Sequence, residues 1–288
     1  MSAAGPSRPA SRFAPSPTGY LHKGHAFSAL SAAALAESLG GRFVLRIEDI
    51  DTERRHPAFE AAILEDLAWL GLDWETPVRR QSEHLDAYQD ALTRLRDQGL
   101  VYRCFKTRRE ILDASASAPH GPAVPYRGAP PASHDEARRL EAGEPYAWRL
   151  SLDAAREQLG PAWDDLEFTE LGTGASGQTG AIRARPESAG DVILARKGLG
   201  VAYHLAVVVD DALQGISHVS RGEDLFEATH IQRLLQALLD LPTPVYRHHP
   251  LVLGPDGKRL AKRDHAQALR EIRASGVSPQ ALRAELGI

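Results

Sequence analysis

Apolar residues run through this chain in two rhythms. RFAPS (12–16), RFVLRIED (42–49), YHLAVVVDD (203–211), GISHVSRG (215–222) and YRHHPLVL (246–253) carry aliphatic and β-branched runs that end in polar residues, the pattern of strands in a buried sheet. Between them lie helical patterns over 25–39, 57–70, 84–98 and 225–239. Gly40 with Gly41, then Gly71, then Gly99 stand where the earlier helices should stop. Strand and helix alternate, which predicts an α/β fold on a doubly wound parallel sheet.

Residues 101–200 break the alternation. DASASAPHGPAVPYRGAPPASHD (113–135) and GTGASGQTGAIRARPESAG (172–190) are rich in Pro, Ala, Ser and Gly, with a more regular stretch between them. The expected organisation is a sheet domain formed by 12–100 and 201–265, a smaller α+β lobe inserted at 101–200, a loose tail at 1–11 and a short helical segment at 266–288. There is no internal repeat and no segment of low complexity.

Composition narrows this picture in a few places. At 288 residues the chain can bury a sizeable core, and 43% hydrophobic with 25% charged residues is ordinary for a soluble domain. No apolar run approaches a membrane span and the N-terminus lacks an export signal, so the expectation is a cytoplasmic protein without a membrane partner. Cys104 is the single cysteine, which excludes an intramolecular disulfide and a cysteine-rich zinc site. A net charge of −4 excludes a surface coated for nonspecific nucleic-acid binding but leaves room for a local basic groove. The oligomeric state is not legible, a monomer being the default.

Ligands of open parallel sheets bind beyond the carboxyl ends of the strands. That rule selects His22 and His25, Glu48 and Asp49, Asp210 and Asp211, Arg221 and Glu223, and the stretch GPDGKRLAKRD (254–264). Gly24 lies between the two histidines where a helix begins, with free backbone N–H groups and the positive end of the helix dipole. Such a turn suits a phosphate and lets a nucleotide approach the backbone; it equally suits two surface histidines at a helix start. Lys258, Arg259, Lys262 and Arg263 form either a solvated basic loop or a phosphate clamp. Together with the helix start they supply what in-line attack on a nucleoside triphosphate needs, which is mostly positioning plus cations. In RIEDID (46–51) the carboxylates suit a substrate ammonium group, magnesium or a helix cap. Arg12 and Arg221 suit a substrate carboxylate or an internal salt bridge, and Tyr203 suits packing or a ligand contact.

Four blocks in order carry a family resemblance: RFAPSPTGYLHKGHAFSAL, RIEDIDTER, YHLAVVVDDALQGISHVSRGEDL and RLAKRDHA. The chain resembles glutamyl-tRNA synthetases and their shorter relatives among the class I aminoacyl-tRNA synthetases, with HKGH in the place of the HIGH signature and RLAKR in that of the KMSKS loop. The resemblance implies a nucleotide-binding, Rossmann-like catalytic domain that makes glutamyl-adenylate from L-glutamate and ATP with Mg2+, then passes glutamate to RNA. It implies a glutamate pocket of Arg12, Ala14, Ser16, Glu48, Tyr203 and Arg221, with Glu48 toward the α-ammonium group and the arginines toward carboxylates. His22, Gly24, His25, Arg259 and Lys262 would hold ATP, with His22, His25 and Lys262 as the catalytic groups.

The chain departs from the family pattern in two places. Arg259 and Ala261 stand where lysine and serine are common in the signature loop. Relatives often hold zinc in the inserted lobe, but here Cys104 and Tyr126 alone cannot close a tetrahedral site, so no structural zinc is expected unless His120 and His134 substitute. Only 25 residues follow Arg263, too few for a helical anticodon-binding region. The expectation is therefore the short branch of the family, which activates glutamate without tRNA and attaches it to the queuosine base in the anticodon of tRNA(Asp). Three alternatives remain: a truncated conventional synthetase charging a 3′ end, a noncatalytic RNA-binding paralogue, and a nucleotidyltransferase without an RNA partner.

Overall fold

The computed structural model describes residues 8–107, 109–111, 125–197, 200–253 and 267–288. In chain order its first half contains β1 (Ala10–Phe13), α1 (Lys23–Ser38), β2 (Arg42–Ile47), α2 (Pro57–Trp69), β3 (Glu75–Arg80), α3 (Leu85–Asp97) and β4 (Val101–Cys104). Then come α4 (Ser133–Glu141), β5 (Ala147–Leu150), α5 (Leu152–Leu159), β6 (Glu167–Glu170), β7 (Gly180–Arg183), β8 (Ile193–Arg196) and β9 (Gly200–Val201). The chain continues with α6 (Tyr203–Leu213), β10 (His218–Gly222), α7 (Phe226–Leu238), β11 (Val245–His249), α8 (Leu269–Ala274) and α9 (Pro279–Leu286).

Seven strands form the main sheet in the order β3-β2-β1-β10-β11-β6-β7. All neighbours pair in parallel except the β6–β7 hairpin at the edge. The chain runs outward from β1 through β2 to β3 and outward from β10 to β11, so the switch point of the sheet lies between β1 and β10, while β6 and β7, earlier in the chain, extend the edge beyond β11. Side chains alternate across a strand: Val44 belongs to one hydrophobic cluster and its neighbour Leu45 to another. The two clusters therefore lie on opposite faces. One is built with α3, α6 and α7 and the other with α1, α2, α8 and α9.

Helix ends follow local chemistry. Pro57 opens α2 and His56 caps it, its ring accepting from the Ala58 N–H at 3.1 Å. Gly41 follows α1 at a point where a Cβ would lie 2.5 Å from the Pro9 carbonyl oxygen, so only glycine lets β2 start against the N-terminal segment.

Two expectations are corrected. YHLAVVVDD is not a strand; it forms most of α6, buried from Leu205 through Asp211. A helix enclosed on every side loses the polar stripe that would give it a period, and its valines then imitate a strand. Residues 101–200 are also divided between two sheets. β4, β5, β8 and β9 make a separate four-stranded antiparallel sheet, whereas β6 and β7 extend the main one. Among the described residues no helix is long and apolar enough to cross a membrane.

Candidate active site

β1 and β10 end beside the first turn of α1, and a cavity of about 470 Å3 opens there. Arg12, Ala14, Ser16, His22, Gly24, His25, Glu48, Tyr203 and Arg221 all line it. Every residue of the expected site that the structure describes is thus brought to one place. Arg259 and Lys262 lie outside the described residues, as does His120. The chain on either side of residues 254–266 does reach the site. Leu251 and Val252 line the cavity, Ala268 bridges to His22, and Leu269 donates its N–H to the Leu21 carbonyl at 2.8 Å.

The two histidines organise the start of α1. His22 Nδ1 accepts from the Gly24 N–H at 3.1 Å, and His25 Nδ1 accepts from the His22 N–H at 3.1 Å, a reciprocal capping box. A neutral ring whose Nδ1 accepts in this way carries its proton on Nε2. The ring centroids are 3.9 Å apart. Gly24 fits tightly, since a Cβ there would lie 3.0 Å from the His22 ring.

The acidic and basic groups are held from behind. Arg46 is wholly buried and donates to Glu48 at 3.1 Å and to Asp211 at 2.8 Å. Arg12 donates to Asp211 at 3.2 Å and to the Ser220 carbonyl at 3.4 Å, so it makes an internal ion pair and lines the cavity at once. Burial pushes the Glu48 carboxyl above its ordinary value, against the pull of Arg46 and Arg12. Arg221 donates to His248, Gln232 and Thr229 at 3.1, 2.8 and 2.7 Å, and to the Tyr203 hydroxyl at 3.4 Å. These acceptors are neutral side chains, and among the described residues Arg221 makes no ion pair.

Other rim candidates have structural roles. Asp210 and Asp211 point from α6 into the buried charge cluster rather than ending a strand. Asp49 accepts from the Ser82 N–H at 2.8 Å and from Arg55 at 2.9 Å, tying two loops together. Glu223 sits half-buried in the turn after β10 and does not line the cavity. Ser28, Asp224 and His249 do line it and had no expected role. Ser28 Oγ lies 3.0 Å from His249 Nε2. Asp224 falls within the stretch YHLAVVVDDALQGISHVSRGEDL, but nothing in the local pattern marks His249. A second cavity of about 570 Å3 shares Ser16, Glu48 and Tyr203 with the first, and its charged lining includes Asp51, Glu53, Arg54 and Arg196.

In the smaller sheet Cys104 Sγ is 3.6 Å from the Tyr126 hydroxyl, while His134 is exposed in the first turn of α4. Among the described residues no group of three or more His, Cys, Asp or Glu side chains is arranged to hold a metal ion.

The arrangement offers cations for carboxylates, a buried carboxylate for an ammonium group and a helix start for phosphates. Known proteins are similar to the whole chain in sequence. The chain is 49% identical over 285 residues to the glutamyl-Q tRNA(Asp) synthetase of Rhodobacter capsulatus, covering 96% of this chain and 99% of the relative. It is 43% identical to the enzyme of the same name from Nocardia farcinica, covering 94% of this chain and 81% of the relative. Among solved structures it is similar to a glutamate tRNA ligase from Elizabethkingia meningosepticum in complex with its amino acid, with a TM-score of 0.71 and 28% identity. That match covers 90% of this chain and 52% of the other, so the chain spans about half the length of the solved ligase. A family model described as tRNA synthetases class I (E and Q), catalytic domain, matches residues 10–287. A Rossmann-like sheet, a histidine-capped helix at its switch point and this match over nearly the whole length agree: the chain belongs to the class I (E and Q) tRNA synthetase catalytic-domain family.

Proposed function

We propose that this ligase activates glutamate with ATP, without tRNA, and transfers the glutamyl group to the queuosine base at the anticodon wobble position of tRNA(Asp). The observation that carries the reading is the charge pattern of the first cavity. Arg12, Arg221 and Glu48 all line it, two cations and one anion, which complements an amino acid with two carboxylates and one ammonium group. Glu48 faces the α-ammonium, and the arginines hold the carboxylates in charge-assisted pairs. His22 and His25, with Gly24 between them, receive the ATP phosphates at the positive end of α1. Lys262 steadies the triphosphate, with Arg259 beside it, and Mg2+ enters with the nucleotide as part of the substrate.

In the first step an α-carboxylate oxygen of glutamate attacks the α-phosphorus of ATP. The new P–O bond forms as the bond to pyrophosphate breaks, and the leaving group takes the electron pair. Catalysis here is positioning together with stabilisation of charge on the phosphate oxygens, which the histidines and Lys262 supply. In the second step a hydroxyl of the acceptor attacks the carbonyl carbon of the adenylate, the bond to AMP breaks, and the hydroxyl proton leaves to solvent or phosphate. The second cavity, sharing Ser16, Glu48 and Tyr203 with the first, supports an approach of the acceptor from that side.

Transfer of labelled glutamate to purified tRNA(Asp), with and without queuosine, followed by ribonuclease cleavage, tests the reading. Label confined to the anticodon fragment of the queuosine-containing RNA is the expected result. Label at a 3′ end would return the chain to conventional charging, which uses the same pocket. Glutamate-dependent ATP–pyrophosphate exchange without any transfer would leave activation standing and overturn the acceptor.

A further inference from the structure

Behind Arg221 lies a line of buried polar groups that no sequence motif contains. Arg221 Nε donates to His248 Nε2 at 3.1 Å. To accept, that nitrogen must carry a free lone pair, so the ring proton sits on Nδ1. Nδ1 lies 2.5 Å from Glu170 Oε2. Glu170 is fixed in turn, its Oε1 accepting the His248 backbone N–H at 2.9 Å and the Gly172 N–H at 2.7 Å. A Cβ at Gly172 would lie 2.2 Å from the His248 carbonyl oxygen, so β6 can turn away beside β11 in this way only with glycine there. Glu170 is 1% exposed and His248 2%, leaving no bulk water to replace either partner.

We propose that Glu170 and His248 form a relay that orients the Arg221 guanidinium toward a substrate carboxylate, with His248 as the positioning residue. The inference rests on the reading of Arg221 as a glutamate-binding group. Its physical reason is the contrast between the two arginines. Arg12 contacts the carboxylate of Asp211 directly, which neutralises much of its charge. Arg221 has a neutral imidazole between itself and Glu170. The interposed ring fixes the plane of the guanidinium and spreads the distant negative charge toward it, while its own positive charge stays available to an incoming carboxylate. Carboxylate–histidine pairs orient metal ligands by the same logic.

The relay requires a neutral ring. The charged and titratable groups facing His248 are Glu170 from β6, Arg221 from β10, and Tyr246 and His249 from its own strand; α7 adds Phe226 and Thr229. Burial pushes the imidazole below its ordinary value, helped by Arg221 and His249 and opposed by Glu170. Burial would raise the Glu170 carboxyl, but hydrogen bonds from the ring and backbone of His248 outweigh it and hold it below its ordinary value.

The test is ATP–pyrophosphate exchange with the full chain, measuring KM separately for glutamate and ATP in His248→Phe, His248→Gln and Glu170→Gln. His248→Phe keeps a flat ring and removes the acceptor; its glutamate KM should rise about 30-fold, the loss of one charge-assisted hydrogen bond. KM for ATP should move less than about 3-fold, as nothing in the relay touches the nucleotide side. The side-chain carbonyl of His248→Gln can take the place of Nε2, so this variant should stay within about 5-fold of the parent, and Glu170→Gln should raise glutamate KM about 5- to 10-fold. Glutamate and ATP KM rising together, or a glutamate KM unmoved in all three, would overturn the relay. Should His248→Phe not fold, the other two variants decide by the same criterion. If the unsubstituted chain shows no glutamate-dependent exchange, the glutamate reading falls and the relay with it, an outcome distinct from failure in the variants alone.

Discussion

Asp211→Asn should weaken both the fold and the site. Asp211 sits in a buried cluster of Arg12, Arg46 and Arg79 against Glu48, Asp210 and Asp211, with Arg46 wholly enclosed. Burial alone would lower the Arg46 guanidinium, but the three carboxylates overcome it and hold it above its ordinary value. The substitution keeps the shape of the side chain and removes one charge, leaving a net buried cation. It also turns an amide N–H2 toward Arg46 or Arg12. Breaking one side of a buried pair costs about 3–5 kcal/mol. At about 2–3 °C per kcal/mol for a domain of this size, Tm should fall by about 10 °C in a calorimetric or circular-dichroism melt. Because Asp211 also holds Arg12 at 3.2 Å, glutamate KM in the exchange assay should rise about 10-fold. Asp210→Asn is the internal control. Asp210 accepts from Arg79, Gln81 and Tyr88 at 2.7, 2.8 and 2.9 Å, none of which lines the cavity that contains Arg12. It should lower Tm comparably and leave glutamate KM within about 3-fold. Burial would raise the Asp211 carboxyl, yet Arg12 and Arg46 hold it below the ordinary value. Its stabilisation is therefore fully present above the unfolded value and is lost as pH falls through the depressed folded one. The Tm difference between parent and Asp211→Asn should shrink below about pH 4. A Tm within about 2 °C of the parent at pH 7, or an Asp210→Asn variant with the same KM defect, would refute the reasoning.

Four further outcomes are expected. His25→Ala removes the acceptor of the His22 N–H and should cost about 1 kcal/mol of stability, while pyrophosphate exchange falls about 100-fold or more; Lys262→Ala should slow exchange without moving Tm, and unchanged exchange in either would exclude that residue from adenylate formation. Asp66 is buried with neither carboxylate oxygen hydrogen-bonded among the described residues, and Arg273 is 4.0 Å away. Burial pushes its carboxyl up to about 6 from 3.8. As pH rises from about 4 the unfolded chain releases this proton first, so the folded state is disfavoured progressively, by about 2–3 kcal/mol above pH 6. Asp66→Asn should therefore raise Tm by about 5 °C at pH 8 and hardly at pH 4; equal shifts at the two pH values would show that the charge is not responsible. Finally, among the described residues the expected zinc ligands that lie close together are Cys104 and Tyr126, too few for a tetrahedral site; a strong chelator should leave Tm unchanged, and zinc released in amounts near one per chain would reveal ligands outside this pair.

Much of the architecture was legible because its signals are local. Pro57, Gly71 and Gly99 mark helix ends through the conformations they allow, and the observed bounds of α1, α2, α3 and α7 fall within a residue or two of the expected ones. The exposed edge strand ETPVRR gave no such signal. Its first residues are solvent-facing and polar, and it is a strand because β2 pairs with it. α6 failed for the opposite reason, being buried too completely to show a period.

The site divides in the same way. Sequence alone selected residues that come to line one cavity, since the HKGH turn, Glu48, Tyr203 and Arg221 lie in ordered blocks whose chemistry is compact along the chain. Tertiary structure alone decided what holds them. Arg12 meets Asp211 across 199 residues and His248 meets Glu170 across 78, pairings that leave no trace in local spacing. A ligand-binding group must be a particular residue at a particular strand end, so its identity is readable. A buried partner need only arrive at hydrogen-bonding distance, and the packing of the whole sheet determines which residue that is.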